Sequence, residues 1–130
     1  MKQQTNTFAT AAPKAPLQLI SVTYLGRQIL VPTEDIICLE GDGNYTFLYT
    51  RTGRRYLLSK TLRHYADHLD NQVFVRIHKS YVINVYYLQD FDGQCGRTFT
   101  LTGGKEVTVS RRRYKEIIEQ IAQHQVMALA

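Results

Sequence analysis

Turn signals recur at short intervals along this chain, and most runs between them have the length of a strand. Gly26-Arg27, Gly41-Asp42-Gly43-Asn44, Thr52-Gly53, Gly93 and Gly103-Gly104 punctuate it. Glycine and asparagine tolerate the positive φ that tight reversals need. Between two of these signals Tyr45, Phe47 and Tyr49 alternate with Thr46, Leu48 and Thr50, a period of two. Residues 17–31 read as two short strands about Gly26-Arg27, 36–40 as another and 55–58 as a return strand. Residues 73–85 form a longer β-rich region, and 87–91, 97–102 and 106–109 read as three more strands. Connections this short join antiparallel neighbours, because a parallel crossover takes a dozen or more residues. The expected fold is mainly β, an antiparallel sheet or sandwich.

Two segments have a different texture. After Ser59, which can cap a helix, Leu62, Tyr65, Ala66 and Leu69 recur at helical spacing as far as Asp70-Asn71. After Ser110, a second possible cap, Tyr114, Ile117, Ile118 and Ile121 form one apolar stripe. A short middle helix and a C-terminal helix are therefore expected, with no helix-turn-helix pair. The 130 residues suit one domain. Residues 1–16 are rich in Gln, Thr, Ala and Pro and are expected to form a flexible tail. The domain is expected over 17–124, with a frayed tail over 125–130. No apolar run approaches the roughly 20 residues that span a bilayer, and the N-terminus lacks an apolar signal-peptide core. Cys38 and Cys95 do not make a disulfide framework. A cytoplasmic location is the expectation.

The charge is lopsided. Residues 71–115 hold eight basic and three acidic side chains, a surplus equal to the net +5 of the whole chain. Within that stretch Ser110-Arg111-Arg112-Arg113 places three arginines where the first turn of the last helix is expected. The positive end of the helix dipole disfavours cations there by roughly 0.3–1 kcal/mol each. A phosphate against that end would reverse the balance, since free N–H groups and guanidinium forks would point at one anion. A merely solvated basic turn is the alternative. In Arg76-Ile77-His78-Lys79-Ser80, Lys79 and Ser80 fall at a strand end, within reach of a phosphate or base edge. Arg76 could equally pair with a carboxylate, and His78 could be a hydrogen-bonded structural residue. The glycine-flanked turn at 41–44 allows close approach to a partner and carries Asn44 and Tyr45 at its tip, although most such turns only connect strands.

Enzymatic signatures are missing from the sequence. His64 and His68 stand at i, i+4 without a glutamate between them or an obvious third ligand. No nucleophile elbow or dinucleotide fingerprint occurs. No catalytic residue, metal, cofactor or small-molecule substrate is expected.

Taken together, four segments resemble the LytTR DNA-binding domain. They are Asp35-Ile36-Ile37-Cys38-Leu39-Glu40 with Gly43-Asn44-Tyr45; Thr61-Leu62 followed by Leu69; the run from Phe74 through Arg76-Ile77-His78-Lys79-Ser80-Tyr81 to Asn84; and Gly104-Lys105-Glu106-Val107-Thr108-Val109-Ser110-Arg111-Arg112 with Tyr114. The similarity spans roughly residues 25–121. It implies an elongated antiparallel β fold with short helices, whose loops enter successive major grooves on one face of double-stranded DNA. It also implies a bacterial transcription regulator acting at promoter repeats, with room for a dimer on the DNA. Family contact positions fall on Asn44 and Tyr45, on His78, Lys79 and Ser80, and on Arg111, Arg112 and Arg113, with Arg112 foremost and Lys79 next. Arg76 and Asn84 are implied to order the scaffold. Family members commonly carry a receiver domain or membrane helices ahead of this part. About 24 residues precede the match here, too few for either, so the expectation is a stand-alone regulator or a piece of a longer protein. A competing reading is a protein-interaction module whose basic face meets an acidic partner, with Tyr45, Phe47 and Tyr49 adding apolar contact.

Overall fold

A computed structural model describes residues 15–92 and 97–129 of the chain. Most of the expected tail over 1–16, Gly93 and Cys95 lie outside the described residues. Every strand pairing is antiparallel. The hairpin of β1 (Leu19–Tyr24) and β2 (Arg27–Pro32) stands alone. A central sheet takes the order β5-β4-β3-β7-β6, from β3 (Ile36–Asp42), β4 (Tyr45–Thr50), β5 (Arg55–Leu58), β6 (Phe74–His78) and β7 (Tyr81–Asn84). A third sheet has the order β10-β9-β8, from β8 (Leu88–Asp92), β9 (Thr98–Leu101) and β10 (Glu106–Thr108). Helix α1 (Leu62–His68) follows β5, and α2 (Tyr114–Leu129) follows β10.

The central sheet is buried on both faces, which makes the molecule a three-layer sandwich. On one face Leu39, Leu48, Leu58 and Val82 meet Ile20, Val22 and Val31 of the first hairpin and Leu62, Tyr65 and Leu69 of α1. On the other, Cys38, Val75, Ile77 and Ile83 meet Phe99, Leu101 and Val107 of the third sheet and Ile117 and Ile121 of α2. Complete burial of such a side chain contributes about 1.5–3 kcal/mol. Both helices exist because their apolar stripes close one of these cores. Gly41 lets α1 come close: a Cβ there would lie 3.2 Å from that of Leu62.

Local chemistry departs from expectation at three points. The first hairpin turns at Leu25-Gly26, not Gly26-Arg27, with φ of 52° and 76°. A type I′ turn, whose twist matches that of the strands, needs positive φ at both positions. Leu25, 83% exposed, gains nothing from packing in return. Leu25→Asn is expected to stabilise the fold by about 1 kcal/mol, the cost of a left-handed L-residue, read as a raised urea midpoint; an unchanged or lowered midpoint would contradict the strain.

The cap of α1 is Thr61, whose hydroxyl accepts from His64 N–H, and not Ser59. Thr46 Oγ1 donates to the Lys60 carbonyl at 2.8 Å, which holds the preceding residues on the sheet and delays the helix. Ser110 does not cap α2 either. Its N–H donates to the Ile77 carbonyl at 2.6 Å, so it extends the sheet edge, and residues 111–113 form a turn ahead of Tyr114. The arginines therefore lead into the helix instead of forming its first turn. The helix then continues to Leu129, into the segment expected as a tail; Gln, Met, Ala and Leu there are all good helix formers. Among the described residues no helix is long and apolar enough to cross a membrane.

Candidate nucleic-acid interface

Strand direction decides where the turns emerge. β3 and β6 run the same way, each antiparallel to β7. Their hairpin turns, at 43–44 and 79–80, therefore leave the same end of the central sheet. Gly41 N–H donates to the Ser80 carbonyl at 2.8 Å and fixes them side by side. The turn at 111–113 joins this end through Ser110 on Ile77 and through Arg113 Nη1, which donates to the Arg76 carbonyl at 3.2 Å. Asn44, Tyr45, His78, Lys79, Ser80, Arg111, Arg112 and Arg113 are thus gathered at one end of the molecule from three distant stretches of sequence.

Each turn is held by its own chemistry. Gly43 has φ of 61° in a two-residue turn closed by the Asp42–Tyr45 pair, which leaves Asn44 and Tyr45 exposed. At the second turn Arg76 acts as a clamp: Nε donates to the His78 carbonyl at 3.3 Å and Nη2 to the Lys79 carbonyl at 2.6 Å. His78 Nδ1 accepts from Ser80 N–H at 3.1 Å, so the neutral ring carries its proton on Nε2 as a donor. Arg76 therefore serves the fold through carbonyls, not through a carboxylate. Arg113 is also engaged, with Nη2 donating to Glu116 Oε1 at 3.0 Å. The side chains of Lys79, Arg111 and Arg112 are exposed and have no partner among the described residues.

Between the last two turns lies an open depression of about 740 Å³. Arg76, Lys79, Arg97, Arg111, Arg112 and Arg113 line it, together with His78 and Ser110, and among the described residues no acid does. Six cations without a carboxylate focus a positive potential in a low-dielectric concavity. On the second face of the sheet Glu40 is engaged internally, while Asp42 stands exposed at the first turn. Glu40 accepts from Tyr49 at 2.8 Å and Tyr81 at 3.3 Å, and Lys105 Nζ lies 3.9 Å away. Burial, then Glu40, pushes the Tyr81 phenol upward.

Other candidate chemistry resolves into structure. Burial pushes the Cys38 thiol up to about 12, which leaves almost no thiolate at neutral pH. His64 and His68 pack ring to ring at 4.5 Å, and His68 Nδ1 contacts the His64 carbonyl at 2.7 Å. Desolvation, then His68 and Lys60, lowers the His64 pKa. Among the described residues no group of three His, Cys, Asp or Glu could hold a metal ion. Of the three aromatics on β4, Tyr49 is tied to Glu40 and Phe47 lies under Arg55 at 4.6 Å, which leaves Tyr45 as the exposed one.

Two cations at this end escaped the sequence reading. Arg97 sits between β8 and β9, far in sequence from the turns it joins. Lys60 is exposed where β5 returns to the same end. Only the strand pairing places either one, and no local pattern could have done so.

A family model described as the LytTr DNA-binding domain matches residues 26–122. The heme-containing CO-sensing transcriptional regulator RcoM 2 of Paraburkholderia xenovorans is 32% identical over 116 residues, which are 85% of this chain and 43% of that protein. The sensory transduction protein LytR of Streptococcus agalactiae is 25% identical over 111 residues, 83% of this chain and 44% of that protein. The chain thus spans less than half the length of these relatives. A solved LytTr DNA-binding domain from Bacillus cereus superposes with a TM-score of 0.70 at 19% identity, covering 82% of this chain and 97% of that one, and so shares the fold. Because that family model spans most of the chain, the chain belongs to the LytTr DNA-binding domain family.

Proposed function

We propose that this chain binds double-stranded DNA sequence-specifically, as the DNA-reading part of a bacterial transcription regulator, and performs no catalysis. The observation that carries the reading is the convergence of three turns on one end, where six cations line a depression with no acid among the described residues. Relatives named as a transcriptional regulator and as a sensory transduction protein support the regulatory role.

The turns at 43–44 and 79–80 stand two strand spacings apart in the central sheet, about 10 Å at spacings near 4.8 Å. The arginine turn and the long side chains extend that reach along the duplex, whose turn repeats every ~34 Å. Asn44 and Tyr45 reach one major groove and Arg112 the next, with Lys79 and Ser80 between them over the phosphates. A promoter carrying paired elements would seat two copies.

A salt titration against a selected duplex tests this directly. With about four phosphates neutralised, log K should fall with log salt at a slope near −3.6. A flat response, with retention of a protein partner after nuclease treatment, would overturn the DNA reading in favour of a protein-interaction module.

A further inference from the structure

Arg97 carries two local penalties. Its backbone is left-handed, with φ of 48°, a conformation that costs a non-glycine residue about 1–2 kcal/mol. Its Nε is buried and has no hydrogen-bond partner, although a buried unpaired donor is costly. Both fall on a residue that lines the depression, where no acid stands among the described residues. The carbonyl of Arg97 accepts from Val109 N–H at 2.9 Å, which locks its backbone beside the strand leading to Ser110. Strain of this kind persists where the surrounding structure imposes it, and it gathers at ligand sites.

The cations around it divide by occupation. Arg76 and Arg113 are spent on protein carbonyls and Glu116. Lys79, Arg111 and Arg112 stand exposed at the rim. Arg97 alone combines partial burial with an unsatisfied charged donor. A small tetrahedral anion would supply the missing acceptor and neutralise the wall, and guanidinium groups suit phosphate oxygens by geometry.

We propose that the depression is a phosphate seat with Arg97 as its buried anchor, and that the phosphate it takes is one of the DNA backbone. This rests on the DNA-binding reading above and adds a division of labour: Arg97 fixes register by gripping one phosphate, while Arg112 and Lys79 act at the rim. It also gives the seat a signature that an ordinary structural arginine lacks. Removing Arg97 relieves strain in the free protein and at the same time weakens its complex.

Arg97→Asn tests this, because asparagine tolerates positive φ and removes the charge. Its unfolding midpoint should equal or exceed that of the parent. Its affinity should fall about 10-fold for specific and random duplexes alike, and the salt slope should shrink by about 0.9. Inorganic phosphate at fixed ionic strength should raise the midpoint of the parent and leave that of Arg97→Asn unmoved. Arg97→Lys keeps the charge without Nε and should recover only part of the affinity. An unchanged salt slope, or a marked loss of stability in Arg97→Asn, would overturn the seat. A parent that binds no duplex but still responds to phosphate through Arg97 would keep the seat and overturn the DNA reading.

Discussion

Arg112→Ala is expected to weaken binding to the preferred duplex by about 10- to 100-fold, or 1–3 kcal/mol, the range for a bidentate arginine on guanine. Arg112 is exposed at the rim of the depression and has no partner among the described residues, so its removal leaves the fold intact. The unfolding midpoint should stay within about 0.5 kcal/mol of the parent, as for a surface substitution away from special features. The loss should fall mainly on the specific site and narrow the ratio of specific to random affinity. Lys79→Ala provides the contrast: a point charge over phosphate should weaken both affinities alike and reduce the salt slope by about 1. Arg113→Ala differs again, since its guanidinium joins α2 to β6; it should cost stability as well as affinity. Competition binding with the selected duplex and a scrambled one separates the three. Equal losses on both duplexes for Arg112→Ala would remove it from base reading.

The strands were legible because alternation and glycine punctuation are local. Tyr45–Thr50 and the return strand Arg55–Leu58 lie within a residue of where period-two reasoning puts them. The helix starts were not, because tertiary hydrogen bonds set them: Thr46 holds Lys60 on the sheet, and Ile77 holds Ser110. Charge density pointed to residues 71–115, yet it could not tell occupied arginines from free ones. Arg76, Arg112 and Arg113 look alike in sequence. Only coordinates show that two of them hold turns together and the third is left for a partner. The place of Arg97 was illegible for a stronger reason: its neighbours in space arrive from β6 and from the turn before α2.

Asn84→Asp is expected to lower stability by more than 3 kcal/mol at neutral pH, with Asn84→Ala somewhat milder at about 2–4 kcal/mol. Asn84 is 1% exposed at the end of β7. Its Nδ2 donates to the Ile36 carbonyl at 3.0 Å, and its Oδ1 accepts from Tyr86 N–H at 3.0 Å. One amide therefore joins the start of β3 to the turn that leads into β8. Alanine strands a buried carbonyl, at about 1–3 kcal/mol, and leaves the part-buried Tyr86 N–H without its acceptor. Aspartate keeps the shape but turns an acceptor toward the Ile36 carbonyl and buries a charge. The pH dependence has a definite sign. Burial raises the folded-state pKa of the new carboxyl above its unfolded value of about 3.9. Its ionisation then favours the unfolded chain, so the deficit grows as pH rises through about 4 and shrinks in acid, where the protonated carboxyl can donate to Ile36. β7 starts at the turn at 79–80 and ends at Asn84, so the substitution acts far from the cations. The folded fraction should keep its affinity and salt slope. A deficit under about 1 kcal/mol, or an affinity loss without one, would show that the amide does not hold these elements in register.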